Sequence, residues 1–400
     1  MKILILSDDF PPLVLGGAGV VAFNLAQGLQ KAGHEIFVIT AVGRKEKEGW
    51  TEFEGLKIFR IYSHYHPRWR AYLSLYNFQT ISKIKKIIKE VKPQIVHAHN
   101  IHTHLSYYSL KIAKKQATTV FLTAHDTMLY SYGKVVDEFK ISWVQELKNY
   151  RLRYNPMRNL IIRCYLKYVD RIIAVSNILW HALVNNGIKN VITIHNGIDL
   201  DGWTTLDESV VNFKKRYRLK DKKIVLFVGR LSGAKGGLNL VKAMAVAIKK
   251  YPKAILLIVG REDRYADVIK DTAKKENIAK HLIITGWLDR REIVTAYKSS
   301  DIVVFPSVYL DPFGMNNIEA MATQKPVIAT CYGGAHEIVI NGETGYIVNP
   351  NDINSFAEKI LDLFKDEARA QMMGRKGRER VEKNFTLKQQ VGKYSDLYRR

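Results

Sequence analysis

The most informative stretch of the sequence is Tyr309-Leu-Asp-Pro-Phe-Gly-Met-Asn-Asn-Ile-Glu319. An apolar run at residues 301–306 precedes it, and Ala-Met-Ala at 320–322 follows it. This order predicts a strand, a loop containing Pro and Gly, and a helix. The free N–H groups at the start of such a helix favour an anion. We therefore expect Asp311 in the loop and Glu319 in the helix to flank a bound phosphate ester.

The alternation of short apolar runs and longer helical patterns extends along the whole chain. The predicted strands are residues 3–6, 35–40, 57–62, 94–97, 120–123, 171–175, 191–194, 224–229, 254–260, 282–285, 302–306, 326–330 and 345–348. Strands that alternate with helices favour parallel sheets covered by helices on both faces. Two such series predict an α/β protein with two Rossmann-like, doubly wound domains that face each other across a cleft.

The domain boundaries follow from where the first series of strands ends. We expect an N-terminal domain at residues 1–197, a C-terminal domain at 198–385 and a terminal helix at 386–400, whose docking the sequence does not indicate. The Asp199-Leu-Asp201 pair resembles a cation-binding motif, but its place after Asn196-Gly197 favours a turn between the domains.

Composition narrows the class of protein. The chain has 400 residues, of which 47% are hydrophobic, enough for substantial cores. Its longest apolar runs have strand length, and its first residues are too short an apolar run for a signal peptide. The two cysteines, Cys164 and Cys331, make a disulfide framework improbable. These features predict a soluble protein of the cytoplasm.

The net charge of +24 is spread over both halves of the chain. Such an excess favours anionic partners, namely nucleotides, nucleic acid or an acidic membrane surface, although a solvated basic surface without a partner is the plain alternative. The sequence has no zinc module, RNP pattern or helix-turn-helix signature, so we expect no nucleic acid partner.

Two glycine-containing segments follow predicted strands. Leu15-Gly16-Gly17-Ala-Gly19 could bring backbone amides close to a phosphate, or could be only a tight turn. It lacks the third glycine of a dinucleotide-binding fingerprint, which disfavours a nicotinamide oxidoreductase, and the Lys-Ser/Thr of a P-loop. The second segment contains Arg230 and Lys235 beside glycines, and these cations could hold phosphate oxygens or be solvated surface residues.

Histidines cluster at two predicted strand ends. His125 follows the strand at 120–123 and could bond a hydroxyl or stabilise developing charge, or be structural. His97-Ala-His99-Asn-Ile-His102-Thr-His104 suggests a metal site. Because no other good ligand is close in sequence, polar packing or acceptor contact is the favoured interpretation, and no metal is predicted.

Two basic segments could meet an anionic membrane surface or an anionic acceptor. Residues 83–92 form a basic amphipathic helix whose apolar stripe could enter a lipid interface, although packing on its own sheet is the favoured interpretation. Residues 148–168 are basic and aromatic. Membrane association would place the protein peripherally on the inner face of the membrane.

The constellation as a whole resembles the retaining GT-B glycosyltransferases, and specifically glycosyltransferase family 4. The resemblance covers nearly the whole chain and is most specific in the C-terminal half. The motifs that carry it, in family order, are Gly229-Arg-Leu-x-x-x-Lys235-Gly236, Pro306-Ser307, Asp311-Pro-Phe-Gly314, Glu319-Ala-Met-Ala322, Pro326-Val-Ile-Ala329, Gly333-Gly334, Gly342-x-x-Gly345 and Glu382-Lys-Asn-Phe385.

The resemblance implies transfer of a sugar from a UDP- or GDP-sugar to a hydroxyl acceptor such as a glycan or glycolipid, without a required metal or other cofactor. It assigns donor diphosphate contacts to Gly16, Gly17, Arg230 and Lys235 and the ribose to Glu319. It assigns the donor sugar and phosphates to Asp311 and to the amides of Phe313, Gly314 and Met315. It places His125 at the reaction centre, and Trp287 is a further candidate for the nucleobase side.

Two residues depart from the family pattern. The family usually has Glu where Asp311 stands, and one methylene less shortens the reach of the carboxylate by roughly 1.5 Å. A catalytically weak or inactive nucleotide-sugar-binding protein is therefore the alternative function. The family also usually has Gly where Gln324 stands, and a non-glycine residue costs about 1 kcal/mol if that helix end is left-handed.

Overall fold

The computed structural model describes residues 1–13, 16–117, 119–136, 141–204 and 206–399. The chain divides into two compact units. Unit 1 comprises Met1–Gly197 and Leu387–Arg400, and unit 2 comprises Ile198–Thr386. Each unit contains one parallel sheet with helices, as the two series of strand patterns predict.

The strands alternate with helices along both units. Unit 1 contains β1 (Lys2–Leu6), β2 (Glu35–Val42), β3 (Gly49–Phe53), β4 (Leu56–Tyr62), β5 (Ile95–Ala98), β6 (Thr119–Ala124), β7 (Arg171–Ala174) and β8 (Val191–Thr193). Unit 2 contains β9 (Lys223–Val228), β10 (Ala254–Val259), β11 (Leu282–Ile284), β12 (Ile302–Phe305), β13 (Val327–Thr330) and β14 (Gly345–Val348).

The α-helices of the described residues follow in chain order, and the first seven and the last belong to unit 1. They are α1 (Gly17–Lys31), α2 (Arg70–Leu73), α3 (Phe78–Val91), α4 (Tyr108–Lys114), α5 (Trp143–Tyr150), α6 (Arg158–Leu166), α7 (Asn177–Asn185), α8 (Asp207–Arg216), α9 (Gly237–Lys250), α10 (Arg264–Lys275), α11 (Arg290–Ser299), α12 (Met315–Ala322), α13 (Ala335–Ile338), α14 (Ile353–Lys365), α15 (Glu367–Asn384) and α16 (Leu387–Arg399).

Both sheets reverse their strand order at one point. The order is β3-β4-β2-β1-β5-β6-β7-β8 in unit 1 and β11-β10-β9-β12-β13-β14 in unit 2. All pairings are parallel except that of β3 with β4. The reversals fall between β1 and β5 and between β9 and β12, and ligands of such sheets bind at the carboxyl ends of the strands beside the reversal. The predicted α/β class with two doubly wound sheets is confirmed.

Strand β3 is the one strand that the apolar pattern missed. It forms a hairpin with β4, in which Trp50 pairs with Phe59 and Glu52 with Lys57. Glu54 and Gly55 turn the chain with φ values of 47° and 77°. The strand escapes a search for apolar runs because it lies at the sheet edge, where alternate residues are solvated.

The docking of the terminal helix, which the sequence did not indicate, is visible in unit 1. Helix α16 packs against α1, where a Cβ on Gly28 would lie 2.4 Å from Cγ2 of Val391. The hydroxyl of Tyr398 lies 2.6 Å from Nδ1 of the buried His97. This packing places the chain's last helix in the core of the unit that contains its first strand.

The departure at Gln324 has the expected structural consequence. Gln324 follows α12 with a left-handed φ of 59°, so the conformational cost of a non-glycine residue applies there. Its carbonyl also faces α15, since a Cβ on Gly374 would lie 2.0 Å from that oxygen. Glycine is therefore required at residue 374, because the backbone of α15 lies in close contact with the backbone of Gln324.

No described helix of the chain is long and apolar enough to cross a membrane. The apolar stripe of α3 is buried, with Ile84, Ile88 and Val91 packed inside unit 1. This stripe therefore packs on its own unit, and Lys85, Lys86 and Lys89 of the same helix are exposed.

Candidate active site

The loop after β9 carries two of the predicted cations. Gly233–Lys235 forms a single 3₁₀ turn, and Gly236 then precedes α9 with a left-handed φ of 72°. A Cβ on Gly236 would lie 1.8 Å from the carbonyl oxygen of Pro306. Only glycine lets these two backbones meet, and the contact brings Lys235 against the loop that follows β12.

Lys235 forms an ion pair that the sequence did not indicate. Its Nζ lies 2.6 Å from Oδ2 of Asp311, and Ser307 donates a hydrogen bond of 3.3 Å to the same oxygen. Nζ also lies 5.2 Å from the ring centroid of Tyr309. Burial by itself would lower the pKa of Lys235, but the Asp311 carboxylate outweighs it and raises the pKa above its usual value. Lys235 is thus charged, and Asp311 neutralises it locally.

Arg230 has a different environment from Lys235, although both lie in the same loop. Its side chain is exposed, and it forms no ion pair within the described residues. Its charge therefore remains available to solution, whereas the charge of Lys235 is shared with Asp311.

The loop of Asp311 is held by backbone contacts. The N–H of Gly334 donates to the carbonyl of Asp311 at 2.8 Å. A Cβ on Gly333, whose φ is 80°, would lie 2.2 Å from the same oxygen. The Gly333-Gly334 pair therefore fixes where the Asp311 carboxylate points.

Helix α12 begins directly after this loop. Gly314 precedes it with a left-handed φ of 80°, and the first N–H groups of a helix have no partner within the helix. Met315 is the first residue of α12. Phe313 is buried, with its ring 6.0 Å from that of Phe385, so its side chain anchors the helix start and only its backbone can serve a ligand.

Glu319 lies on the second turn of α12 and is partly buried. Oε2 of Glu319 accepts a hydrogen bond of 3.0 Å from the hydroxyl of Tyr297, whose side chain is fully buried. Burial raises the pKa of Glu319 to about 7, although Tyr297 and the nearby Arg290 act in the opposite direction. The carboxyl group therefore titrates near neutral pH.

Trp287 follows β11, and its ring is exposed over 67% of its surface. The guanidinium of Arg261 lies 5.3 Å from the ring centroid, at the distance of a cation–π contact. The indole thus presents an aromatic face to solvent. Its assignment to the nucleobase stays a prediction.

Gly16 and Gly17 form the entrance of α1 in unit 1. Gly16 precedes the helix in an extended conformation, and a Cβ on either glycine would meet no atom within 4 Å. Gly19, in contrast, is packed, since its Cβ would lie 2.8 Å from the carbonyl oxygen of Asp9. The open space beside Gly16 and Gly17 leaves room for a ligand, and Leu15 of the same segment lies outside the described residues.

His125 follows β6, and its partner is another histidine. Its Nε2 lies 2.8 Å from Nδ1 of His99, which follows the neighbouring strand β5. Burial lowers the pKa of His125 to about 4 and outweighs the opposite effect of Asp126. His125 is therefore neutral at physiological pH.

The other histidines of the 97–104 segment diverge. Nε2 of His97 lies 2.8 Å from Oγ1 of Thr123, His102 lies 3.5 Å from the carboxylate of Asp126, and His104 lies 3.0 Å from Ser63. No group of three potential metal ligands occurs within the part of the chain that the structure describes. These contacts are polar packing of the kind that the sequence favoured.

Sequence reasoning missed residues that complete the site in unit 2. Ser307 and Tyr309 lie just before Asp311, and although Ser307 belongs to the Pro306-Ser307 motif, no local pattern assigned either residue to the site. Tyr297 lies on α11, 22 residues from Glu319, and no local pattern connects the two. Only the tertiary fold brings the phenol to the carboxylate.

Two family models match the two halves of the chain. Residues 15–201 match the family described as Glycosyltransferase Family 4, and residues 211–380 match Glycosyl transferases group 1. The glycogen synthase of Mycobacterium tuberculosis is 25% identical over 96% of this chain and 91% of its own length.

Two solved structures share the fold. Sucrose-phosphate synthase from Thermosynechococcus elongatus superimposes with a TM-score of 0.81 at 23% identity, over 100% of this chain and 98% of the other. Anabaena HepE, solved in complex with UDP and glucose, superimposes with a TM-score of 0.77 at 17% identity, over 99% of both chains.

The two doubly wound domains and these likenesses define the GT-B fold. The two family matches together span most of the chain, which belongs to glycosyltransferase family 4, the group 1 glycosyl transferases. It is a nucleotide-sugar-dependent enzyme of a family that transfers sugars with retention of configuration.

The raised pKa of Glu319 predicts a pH dependence of stability. Between pH 4.5 and about 7 the folded state binds more protons than the unfolded state, so the free energy of unfolding falls as pH rises through this window. Glu319→Gln removes this loss. We expect the unfolding temperature of the variant minus that of the wild type to become larger as the pH is raised from 5 to 8.

The measurement is thermal unfolding followed by circular dichroism over that pH range. Glu379→Gln, on the exposed side of α15, is the matched control and should follow the wild type. A constant difference between Glu319→Gln and wild type would contradict the raised pKa.

Proposed function

We propose that this protein transfers a hexosyl group, with retention, from a UDP- or GDP-sugar to a hydroxyl group of a glycan, glycolipid or other glycoconjugate acceptor. The observation that carries the proposal is that the loop of Arg230 and Lys235 meets the start of α12 beside the strand reversal of unit 2: Asn316 on α12 donates to the carbonyl of Val228 at 2.6 Å, and Lys235 lies 2.6 Å from Asp311. Cations and free N–H groups at one place suit a diphosphate. The UDP and glucose bound by HepE support a nucleotide-sugar of this kind.

In the proposed reaction, the bond from the sugar's C1 to the acceptor oxygen forms on the same face as the departing diphosphate. The bond from C1 to the phosphate oxygen breaks, and that oxygen takes its electron pair and receives the proton of the acceptor hydroxyl. Negative charge develops on the diphosphate in the transition state. Fixed cations placed at that charge lower the barrier, which gives Arg230 and Lys235 their proposed role without a metal ion.

The ion pair of Lys235 with Asp311 shapes this role. Asp311 accepts from both Lys235 and Ser307, so it holds Lys235 in one orientation beside the helix start. A donor phosphate that approaches Lys235 would share its ammonium group with the Asp311 carboxylate. The same carboxylate would also face the donor sugar. Arg230, which is exposed, would supply the uncompensated charge.

Glu319 is proposed to accept hydrogen bonds from the ribose hydroxyls. The ionised carboxylate is the better acceptor, and its pKa of about 7 means that a neutral solution contains both forms. Tyr297 would hold Oε2 and leave the other oxygen for the ribose. The roles of Gly16, Gly17 and His125 toward the donor stay predictions from the family resemblance.

A binding protein without turnover is the second candidate function. The observation that favours it is the neutralisation of Lys235 by the shorter Asp311, which weakens the positive field that a leaving diphosphate requires.

We also propose that unit 1 associates with an anionic membrane surface in the cytoplasm. Helix α5 has its polarity inverted. Glu146 is buried and accepts from Ser131 and from the N–H of Tyr132, whereas Trp143 and Leu147 are exposed at 59% and 38%. The exposed, basic Lys148 follows them on the same helix. An exposed apolar face beside cations suits a lipid interface, and the two free cysteines suit the reducing compartment.

The first prediction of the proposed function concerns the phosphate clamp. We expect the double variant Arg230→Ala/Lys235→Ala to lose about 100-fold or more in kcat, because the charge of the leaving diphosphate would no longer be met. The measurement is sugar transfer or slow hydrolysis over a panel of UDP- and GDP-sugars in the presence of EDTA.

Lys242→Ala, an exposed lysine on α9, is the matched control for loss of positive charge. If the wild type neither bound nor turned over any donor of the panel, the proposed function would be wrong.

The second prediction separates the enzyme from the binding protein. We expect wild-type turnover with Asp311 in place, because the loop already brings its carboxylate to 2.6 Å from Lys235. The same assay on Asp311→Glu decides the alternative. An inactive wild type that gains turnover with the longer side chain would establish the binding protein, and wild-type turnover excludes it.

The third prediction concerns the membrane. We expect the wild type to float with vesicles of phosphatidylcholine and phosphatidylserine at low salt, and less so with phosphatidylcholine alone or at high salt. Trp143→Asp/Leu147→Asp should abolish flotation, because it removes the exposed apolar face. Val211→Asp, an exposed site on α8, is the matched control. Absence of wild-type flotation at low salt would refute the proposal.

A further inference from the structure

His99 and His125 form a pair at the carboxyl ends of two neighbouring strands. His99 follows β5, His125 follows β6, and these strands pair in parallel. Nδ1 of His99 lies 2.8 Å from Nε2 of His125, and the ring centroids are 5.2 Å apart with 19° between the planes, so the rings meet edge to edge as an N–H···N hydrogen bond requires. Since each neutral imidazole has one donor and one acceptor nitrogen, one ring must donate to the other.

The burial of His99 decides which ring donates. His99 is 1% exposed, and its Nε2 has no hydrogen-bond partner among the described residues. If His125 donated, Nε2 of His99 would carry a buried N–H without an acceptor. If His99 donates from Nδ1, its Nε2 is only a bare lone pair. Orphaned buried N–H groups are rarer in proteins than under-satisfied acceptors, which favours the second arrangement.

The protonation states agree with a neutral pair. Burial lowers the pKa of both rings, and the neighbouring His97 and His102 lower them further, whereas Asp126 acts in the opposite direction on His125. The Asp126 carboxylate is engaged elsewhere, with the N–H of Met128 at 2.9 Å and with His102 at 3.5 Å. It does not hold Nδ1 of His125, which has no partner among the described residues.

We propose that His99 is a positioning residue: it donates from Nδ1 to Nε2 of His125 and so holds His125 as the neutral tautomer protonated on Nδ1. His125 is partly exposed, and in this tautomer it presents an N–H donor. It would therefore donate a hydrogen bond to an oxygen of the sugar. It would not act as a general base through Nε2, because Nε2 already accepts a hydrogen bond from His99. Protonation of His125 would place two N–H groups against each other unless His99 changed tautomer.

This inference rests on the proposed function only in naming a sugar oxygen as the partner of His125. The tautomer itself belongs to unit 1 alone and can be measured without any substrate. The two claims therefore fail separately.

The first experiment determines the tautomer by NMR. Full-length protein labelled with ¹⁵N at its 12 histidines is examined by long-range ¹H–¹⁵N correlation, and the signals of His125 are assigned by their loss in His125→Gln. We expect a protonated Nδ1 and a bare Nε2 in the wild type. A wild-type His125 protonated on Nε2 would overturn the proposal, and this readout requires no folded variant of His99.

Substitutions of His99 give the second readout. His99→Asp replaces the donor by an acceptor of similar reach, so the proton of His125 should move to Nε2. His99→Asn retains an N–H donor near the position of Nδ1 and should keep the wild-type tautomer. His104→Asn, in the same segment, is the control and should leave the His125 signals unchanged. An unchanged tautomer in a folded His99→Asp variant would also overturn the proposal.

Kinetics then test the consequence for transfer. We expect His99→Asp to lower kcat/KM roughly tenfold to hundredfold, the effect of one lost hydrogen bond to substrate, with His99→Asn closer to wild type. Combining His99→Asp with His125→Ala should cost little more than His125→Ala alone. Additive losses would overturn the positioning role. A wild type that transfers no sugar would refute the proposed function, while the NMR spectra would still decide the tautomer.

Discussion

The contact of Gly236 with the carbonyl of Pro306 is the constraint on which the candidate site of unit 2 depends. It joins the loop after β9 to the loop after β12 at the point where the strand order reverses. A side chain at residue 236 would require the two backbones to separate, because its Cβ would lie 1.8 Å from the oxygen. The position of Lys235 beside Asp311, and of both beside the start of α12, follows from this contact.

Side chains of the same charge, which look alike in the sequence, have different electrostatic environments in the folded protein. Arg230 and Lys235 are both cations of one loop, yet only Lys235 is paired with a carboxylate. Asp311 and Glu319 are both carboxylates of one segment, yet Asp311 forms an ion pair, while burial brings the pKa of Glu319 to about 7. Partly buried groups respond strongly to their neighbours, and here the neighbours come from other elements of the fold.

Much of the fold could be predicted because parallel strands between helices are apolar on both faces. Strands such as β10 and β12 appear in the sequence as short apolar runs. The hairpin strand β3 could not be found in that way, because alternate residues of an edge strand are solvated. The docking of α16 could not be predicted either, because Tyr398 meets His97 across 301 residues and Tyr394 meets Thr123 across 271.

The sequence was enough to predict the class of fold, the family and the ends of the strands, because these depend on local periodicity and on short motifs. It also located the candidate residues Arg230, Lys235, Asp311, Glu319 and His125, since a strand end followed by glycine and a charged or polar side chain is a local pattern. Which partner each of these side chains meets follows from the folded structure alone. The partners Tyr297 and His99 lie 22 and 26 residues away on neighbouring elements. These hydrogen bonds and the burial of the side chains depend on how separate elements pack. No pattern along the chain indicates which residues will then be neighbours.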